Sequence, residues 1–278
     1  LYLITGATGN VGRHLVDHLL AAGVPVRATT RHPRTAHLPD PVEVLPAEET
    51  TFPLEGVRAV FVNPSAVGHH LDTLLTQART HGVRRVVLLS TSAVLDEANP
   101  IGAHHRELED QLVRSGLPWT VLRPGAFNSN TLGWADQIRT EGVVRAPYGG
   151  ARIAPIDERD IAAVAAQALL SHETDRLRGA TPVLSGPEIV TPVDQVRAIG
   201  AATGVPLRFE EMPPEDAREA MPRAGVPALA ADGVLRYHAH AALHPVEISP
   251  AVEEITGRAP RRFADWAVEH AAAFKAGR

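Results

Sequence analysis

Leu1-Tyr2-Leu3-Ile4-Thr5-Gly6-Ala7-Thr8-Gly9-Asn10-Val11-Gly12 opens the chain and decides its fold. A short apolar run reads as a buried strand, and it leads straight into three glycines spaced G-x-x-G-x-x-G at the start of a helix-periodic stretch. Gly6 permits a tight turn, Gly9 lets backbone approach a pyrophosphate, and Gly12 allows helix and strand to pack closely. Unpaired amides at the helix start attract an anion. The expected dinucleotide contacts are therefore Gly6, Thr8, Gly9, Asn10, Val11 and Gly12.

Beyond this turn, apolar runs bounded by turn residues alternate with helical periodicity, the mark of repeated βα units and a parallel sheet. Strands are expected at Leu1–Thr5, Pro25–Thr30, Ala59–Val62, Arg85–Leu89 and Trp119–Leu122. Helices are expected at Val11–Ala22, His69–His81 and His104–Ser115, each ending near a glycine suited to a C-cap. A loop excursion over a cleft follows at residues 127–150, and Ile161–Leu170 reads as another sheet-packing helix. The rest is mainly helical (Val193–Thr203, Pro214–Met221, Ala228–Ala242, Phe263–Ala276), with one short strand at Leu207–Glu210. The expected architecture is α/β: a Rossmann-type doubly wound parallel sheet over residues 1–186, with a smaller, mainly helical domain over 187–278.

Composition narrows the chemistry. The 278 residues are 44% hydrophobic and 21% charged, enough to bury a full core. A net charge of −5 argues against general nucleic-acid binding, which needs many cations on phosphates. There is no cysteine, so disulfides, thiolate metal sites and cysteine nucleophiles are excluded together. His238, His240 and His244 offer only one helical i,i+4 pair, so no metal is expected. The first residues carry no charged leader, and no stretch approaches the roughly 20 apolar residues of a membrane span. A soluble, cytoplasmic protein without a membrane partner is the expectation, with residues preceding Leu1 left open.

Cofactor preference is read at the end of the second strand, where an acid would bond a ribose 2′-hydroxyl and an arginine would accept a 2′-phosphate. Here the sequence is Thr29-Thr30-Arg31-His32-Pro33-Arg34, with no acid. Arg31 offers a planar fork and Arg34 a second cation, so NADP(H) is expected over NAD(H). Set against this is the plain reading of Arg31 as one more arginine on a solvated surface.

The string TGATGNVG, His105 with Glu109, SGLPWTVLRPGAFNSN and APIDERDIAAVA together resemble the NmrA-like branch of the atypical short-chain dehydrogenase/reductases. The resemblance is strong to Leu170 and looser beyond it. It implies a Rossmann fold and an NAD(P) cofactor, with either quinone-reductase activity or non-catalytic redox sensing. Extended members carry Tyr-x-x-x-Lys, then glutamate four residues on and glycine seven further, before a strand ending Arg-Pro-Gly. Read back from Arg123-Pro124-Gly125 through Gly116 and Glu109, that register puts His105 at the lysine position and Ile101 at the tyrosine position. Of 27 basic residues only Lys275 is lysine, and Tyr2, Tyr148 and Tyr237 all look misplaced, so the usual relay is absent.

Several groups remain for the site. His105 is i,i+4 from Glu109, which is expected to raise its imidazole pKa; the pair either serves the nicotinamide ribose or a proton, or is an ordinary helix-surface pair. Ser90 or Ser92 falls near the family's catalytic serine, though such residues also cap turns. Asn63, Pro64 and Ser65 end a strand at the same edge, near cofactor phosphate or ribose. Pro124, Gly125 and Ala126 match the nicotinamide-contacting segment, the last two offering amides, while Phe127 and Asn130 face the substrate or, for Phe127, the core. Asp157 reads as the cap of the helix at Ile161, with Asp160 complementing its dipole. The leading expectation is hydride transfer from NADPH to a flat conjugated small molecule (quinone, enone or imine) by a monomer or homodimer. The alternative is a non-catalytic NADP-binding sensor that acts through a regulatory protein partner.

Overall fold

Strands that are apolar on both faces need helices on both sides, and this chain supplies them. The computed structural model describes residues 1–171, 176–223 and 225–275. Its first half runs β1 (Tyr2–Thr5), α1 (Asn10–Ala21), β2 (Val26–Thr30), β3 (Glu43–Pro46), β4 (Ala59–Val62), α2 (Pro64–Val67), α3 (Leu71–Thr80), β5 (Arg85–Leu89), α4 (Pro100–Arg114) and β6 (Trp119–Pro124). The second half adds α5 (Ala135–Glu141), β7 (Val143–Ala146), α6 (Glu158–Leu170), β8 (Val183–Leu184), α7 (Pro192–Thr203), β9 (Arg208–Glu211), α8 (Pro214–Arg223), α9 (Ala228–Leu243), α10 (Ala251–Thr256) and α11 (Phe263–Glu269).

Seven strands form one parallel sheet in the order β3-β2-β1-β4-β5-β6-β8. Side chains alternate across it. Ile4, Phe61 and Val87 join the core beneath α1 and α6, while Leu3, Val60, Val62 and Val86 join the one beneath α3 and α4. This two-sided burial makes the sheet doubly wound, as expected. The order reverses between β1 and β4, and a ligand crevice belongs beyond the carboxyl ends of those strands. Thr5 staples the reversal: its hydroxyl donates to the Phe61 carbonyl (3.1 Å) and accepts from the Asn63 amide (2.8 Å).

Several elements differ from expectation for local reasons. β3 is an edge strand framed by prolines, and β8 spans only two residues, so neither carries a usable apolar pattern. α4 begins at Pro100 rather than His104, because Asn99 caps it by accepting from the amides of Ile101 and Gly102. α6 begins at Glu158, where Asp157 accepts from the Arg159 amide at 2.8 Å. Asp160 is not merely a dipole partner. It is buried, receives the amide of Arg261 at 2.7 Å and ion-pairs with that residue's side chain.

The stretch read as an excursion, residues 127–150, contains α5 and β7, and β7 pairs in parallel with β9. Trp266, Ile199, Ile138 and Val144 fill a further core there. The last expected helix is shorter, ending at Glu269 before a 3₁₀ turn over Ala271–Phe274, and Ala276 lies outside the described residues. Among the described residues, no helix is long and apolar enough to cross a membrane.

Candidate active site

The glycine turn takes the conformation that its residues dictate. Gly6 has φ +67°, and a Cβ there would meet Asn63 Nδ2 at 2.8 Å. A Cβ on Gly12 would stand 2.3 Å from the Gly6 carbonyl oxygen, so no side chain fits between α1 and the turn. Gly9 is the N-cap of α1 and has no side chain to offer as a cap, and the first turn holds no acid. The start of α1 is thus left as an electropositive end with unpartnered donors. By contrast, Asn99 caps α4, Asp157 caps α6, and a Thr191–Asp194 capping box closes α7.

Arg31 follows β2 directly, and Arg34 lies in the next 3₁₀ turn. Both are exposed, and neither has an ion pair among the described residues. Thr30 Oγ1 lies 3.4 Å from Thr8 Oγ1, which brings the β2 end against the glycine turn. Asn10 reaches the other way, donating to Ser129 Oγ at 3.0 Å, and the Ser129 amide donates to buried Glu158 at 2.8 Å. The turn is therefore clipped to the segment that follows β6.

A cavity of about 390 Å³ opens at the carboxyl edge beside this turn. It is lined by Asn10, Val11, Asn63, Pro64, Ser65, Ser90, Ser92, Ile101, His105, Gly125, Ala126, Phe127 and Asn130, so residues expected at the site from five separate stretches do converge. Pro124 is the last residue of β6, buried beneath the cavity. Asn63 also caps α2 by accepting from the Ser65 amide at 3.1 Å.

The two serines take different roles. Ser90 is buried and donates to Glu109 Oε1 at 2.5 Å, and Arg123 holds the same carboxylate in an ion pair. This network ties α4 to β5 and β6. Ser92 Oγ instead lies 3.8 Å from the position of a Cβ on Gly125, facing the cavity. Thr91 takes the turn-capping duty, accepting from the Ala93 amide.

The expected His105–Glu109 pair does not form, because Glu109 is committed to Ser90 and Arg123. Burial, with an electrostatic contribution from neighbouring His104 adding to it, lowers the His105 pKa to about 4, and the attraction of Glu109 does not offset them. His105 is therefore neutral near pH 7, the opposite of the expected shift. Its Nδ1 is buried with no hydrogen-bond partner among the described residues. His104 is exposed, as its helix position implied.

One of the two amides expected to face the nicotinamide is already engaged: Gly125 donates to the Leu184 carbonyl at 3.0 Å, continuing the β6–β8 pairing. The same cavity holds a residue that the motif register missed. Tyr2 is a core residue of β1, but Tyr237 of α9 lines this cavity. The only sequence trace is its spacing from Gly233: at i,i+4 the two share one helix face, and a glycine there marks a close approach.

A parallel doubly wound sheet with an uncapped glycine-rich helix start at its switch point defines a dinucleotide-binding Rossmann protein. The comparisons agree. The NAD(P)H-binding family model matches residues 6–172, and the chain belongs to this family, in its NmrA-like, atypical short-chain dehydrogenase/reductase branch. It is 39% identical to the (4-alkanoyl-5-oxo-2,5-dihydrofuran-3-yl)methyl phosphate reductase of Streptomyces griseus, over 99% of both chains. It is 35% identical to the NAD(P)H azoreductase of Xenophilus azovorans, over 99% of this chain and 100% of that one. In fold it is similar to the NADPH-dependent quinone oxidoreductase of Escherichia coli complexed with NADPH, with a TM-score of 0.80 and 22% identity, covering 97% of this chain and 99% of that one.

The residues present fit such a cofactor. The bare start of α1 suits a pyrophosphate, and the orphaned Nδ1 of His105 is a buried polar atom that a ribose hydroxyl would satisfy.

Proposed function

We propose that the protein is an NADPH-dependent reductase of flat, conjugated small molecules such as quinones, enones or imines. The observation that carries this reading is the pair at the relay register. Ile101 and a neutral His105 line the cavity where a tyrosine and a lysine cation would otherwise stand. A site without a charged proton relay suits acceptors whose reduced form spreads its charge by conjugation and takes its proton from water. The names of the similar Streptomyces and Xenophilus reductases support the same class of acceptor.

NADPH, when bound, supplies the hydride. The first turn of α1 holds the pyrophosphate, with Asn63 and Ser65 at the neighbouring phosphate or ribose. Arg31, assisted by Arg34, takes the 2′-phosphate and sets the preference for NADP(H). His105 Nδ1 engages the nicotinamide ribose, and Ser92 faces the acceptor. Phe127 and Asn130 wall the acceptor side. In this reading residues 1–186 hold the cofactor and 187–278 cover the acceptor.

The test is to mix purified protein and NADPH with a panel of quinones, enones and imines while following the reduced-nicotinamide absorbance. Oxidation with at least one conjugated acceptor is expected. Tight NADPH binding with no oxidation by any of them would favour the redox sensor instead.

A further inference from the structure

We propose that Tyr237, carried into the site by the C-terminal helix α9, donates the hydrogen bond that stabilises the oxygen of the acceptor as it is reduced. The inference rests on the reductase reading above and adds the group that meets the developing negative charge.

Three observations support it. First, Tyr237 stands where such a donor must. Its Oη lies 3.9 Å from the position of a Cβ on Gly125, and Ser92 Oγ lies 3.8 Å from that same point on a different element. The two hydroxyls thus flank one spot on the cavity floor. Tyr237 also lines a second cavity of about 780 Å³ that shares Ser92, Asn99 and Gly125 with the first, so the phenol sits where the two chambers meet.

Second, the hydroxyl keeps its hydrogen. Burial, only partly opposed by the nearby Ala126 amide, pushes the phenol pKa up to about 12, so the proton is retained across the working pH range.

Third, α9 is locked in place. A Cβ on Gly233 would stand 2.5 Å from Ile101 Cγ1, so α9 presses onto the residue at the expected tyrosine position. Asn99, the cap of α4, donates to the Gly233 carbonyl at 3.0 Å, and Arg236 forms a forked pair with Asp96 at 2.6 and 2.9 Å. The Arg152 amide holds the other end through the Ala241 carbonyl at 2.9 Å. A donor fixed beforehand costs no reorganisation when charge appears.

In the step itself, the hydride that bound NADPH would supply leaves its C4–H bond, giving NADP⁺, and forms a C–H bond with the acceptor carbon as the π electrons of the acceptor move onto its oxygen. Tyr237 stabilises that oxyanion without giving up its proton, and water protonates the product.

Tyr237→Phe keeps the ring and removes only the donor. Single-turnover hydride transfer to an enone is expected to fall roughly 10²-fold, the usual loss for one oxyanion donor. The NADPH Kd should change less than about threefold, and the thermal midpoint should stay in place. A readout independent of turnover is calorimetric binding of 4-nitrophenolate, an oxyanion probe, to the NADP⁺-loaded protein. The wild type should bind it at least about tenfold more tightly than the variant, one donor to a charged acceptor. Equal binding by both, or no binding by the wild type, overturns the proposal, as does a transfer rate within twofold of wild type. Failure of the reductase reading looks different, since then the wild type itself oxidises no NADPH.

Discussion

The two ends of the cleft are built in opposite ways. At the glycine turn every decisive group lies within twelve consecutive residues, and the ligand-facing chemistry is backbone: a bare helix start, a left-handed glycine, a missing side chain at Gly12. At the relay end, the site is assembled from side chains of α4, the turn after β5, the segment after β6 and α9, which are separate stretches of the chain. A local site is written in spacing, whereas an assembled one is set by tertiary packing. A rule that reads spacing thus finds the first and misjudges the second.

The largest effect expected is at the local end. Gly12→Val drives a branched side chain into the Gly6 carbonyl, and cofactor binding should be lost along with much of the native fold, as seen by titration and circular dichroism. If Gly12→Val bound NADPH normally, the turn would not be the rigid element described. At the assembled end, Glu109→Ala leaves the partly buried Arg123 without its carboxylate and frees Ser90. A loss of about 3 kcal/mol in urea unfolding is expected. A loss below about 1 kcal/mol would mean that the network does not hold α4.

The next effect is in pH. The fold depresses the His105 pKa to about 4 from an ordinary value of 6.5, so folding favours the neutral ring. That contribution is fully present above about pH 6.5 and is lost as pH falls towards 4, because the unfolded chain binds the proton first. His105→Asn should flatten the stability profile across this window by about 1–3 kcal/mol. The residual slope belongs in part to His238, which burial also depresses. An unchanged profile would place His105 in solvent.

The smallest shift is expected beside the glycine turn, at the end of β2. Arg31→Ala should lower the NADP(H)-to-NAD(H) affinity ratio about tenfold, roughly 1.4 kcal/mol for one exposed charge-assisted contact. A constant ratio would remove Arg31 from the phosphate site.

Legibility in the sequence follows the same division. The doubly wound sheet was readable because β1, β4 and β5 are apolar on both faces, and caps such as Asn99 and Asp157 then refined the helix starts. β3, β7 and β8 were not, since short or edge strands bury too little to leave a pattern. In the site, the two residues singled out by the register, Ile101 and His105, both line the cavity. The register misjudged the charge of His105 because i,i+4 spacing shows neither the burial that lowers its pKa nor that Arg123, from another element, already holds Glu109. It passed over Tyr237 because the motif looks for a tyrosine on α4, and only the packing of Gly233 on Ile101 brings α9 to that place.

The central claim is that this cleft passes a hydride to a conjugated carbon without a Tyr-x-x-x-Lys relay. The direct measurement is single-turnover reduction of an enone with NADPH deuterated at one or the other face of C4, followed by mass spectrometry of the product. Deuterium is expected on the product carbon from one face only, with a primary isotope effect on the observed rate. Retention of the label in the cofactor pool from both faces, with NADPH bound and no enone reduced, would contradict it.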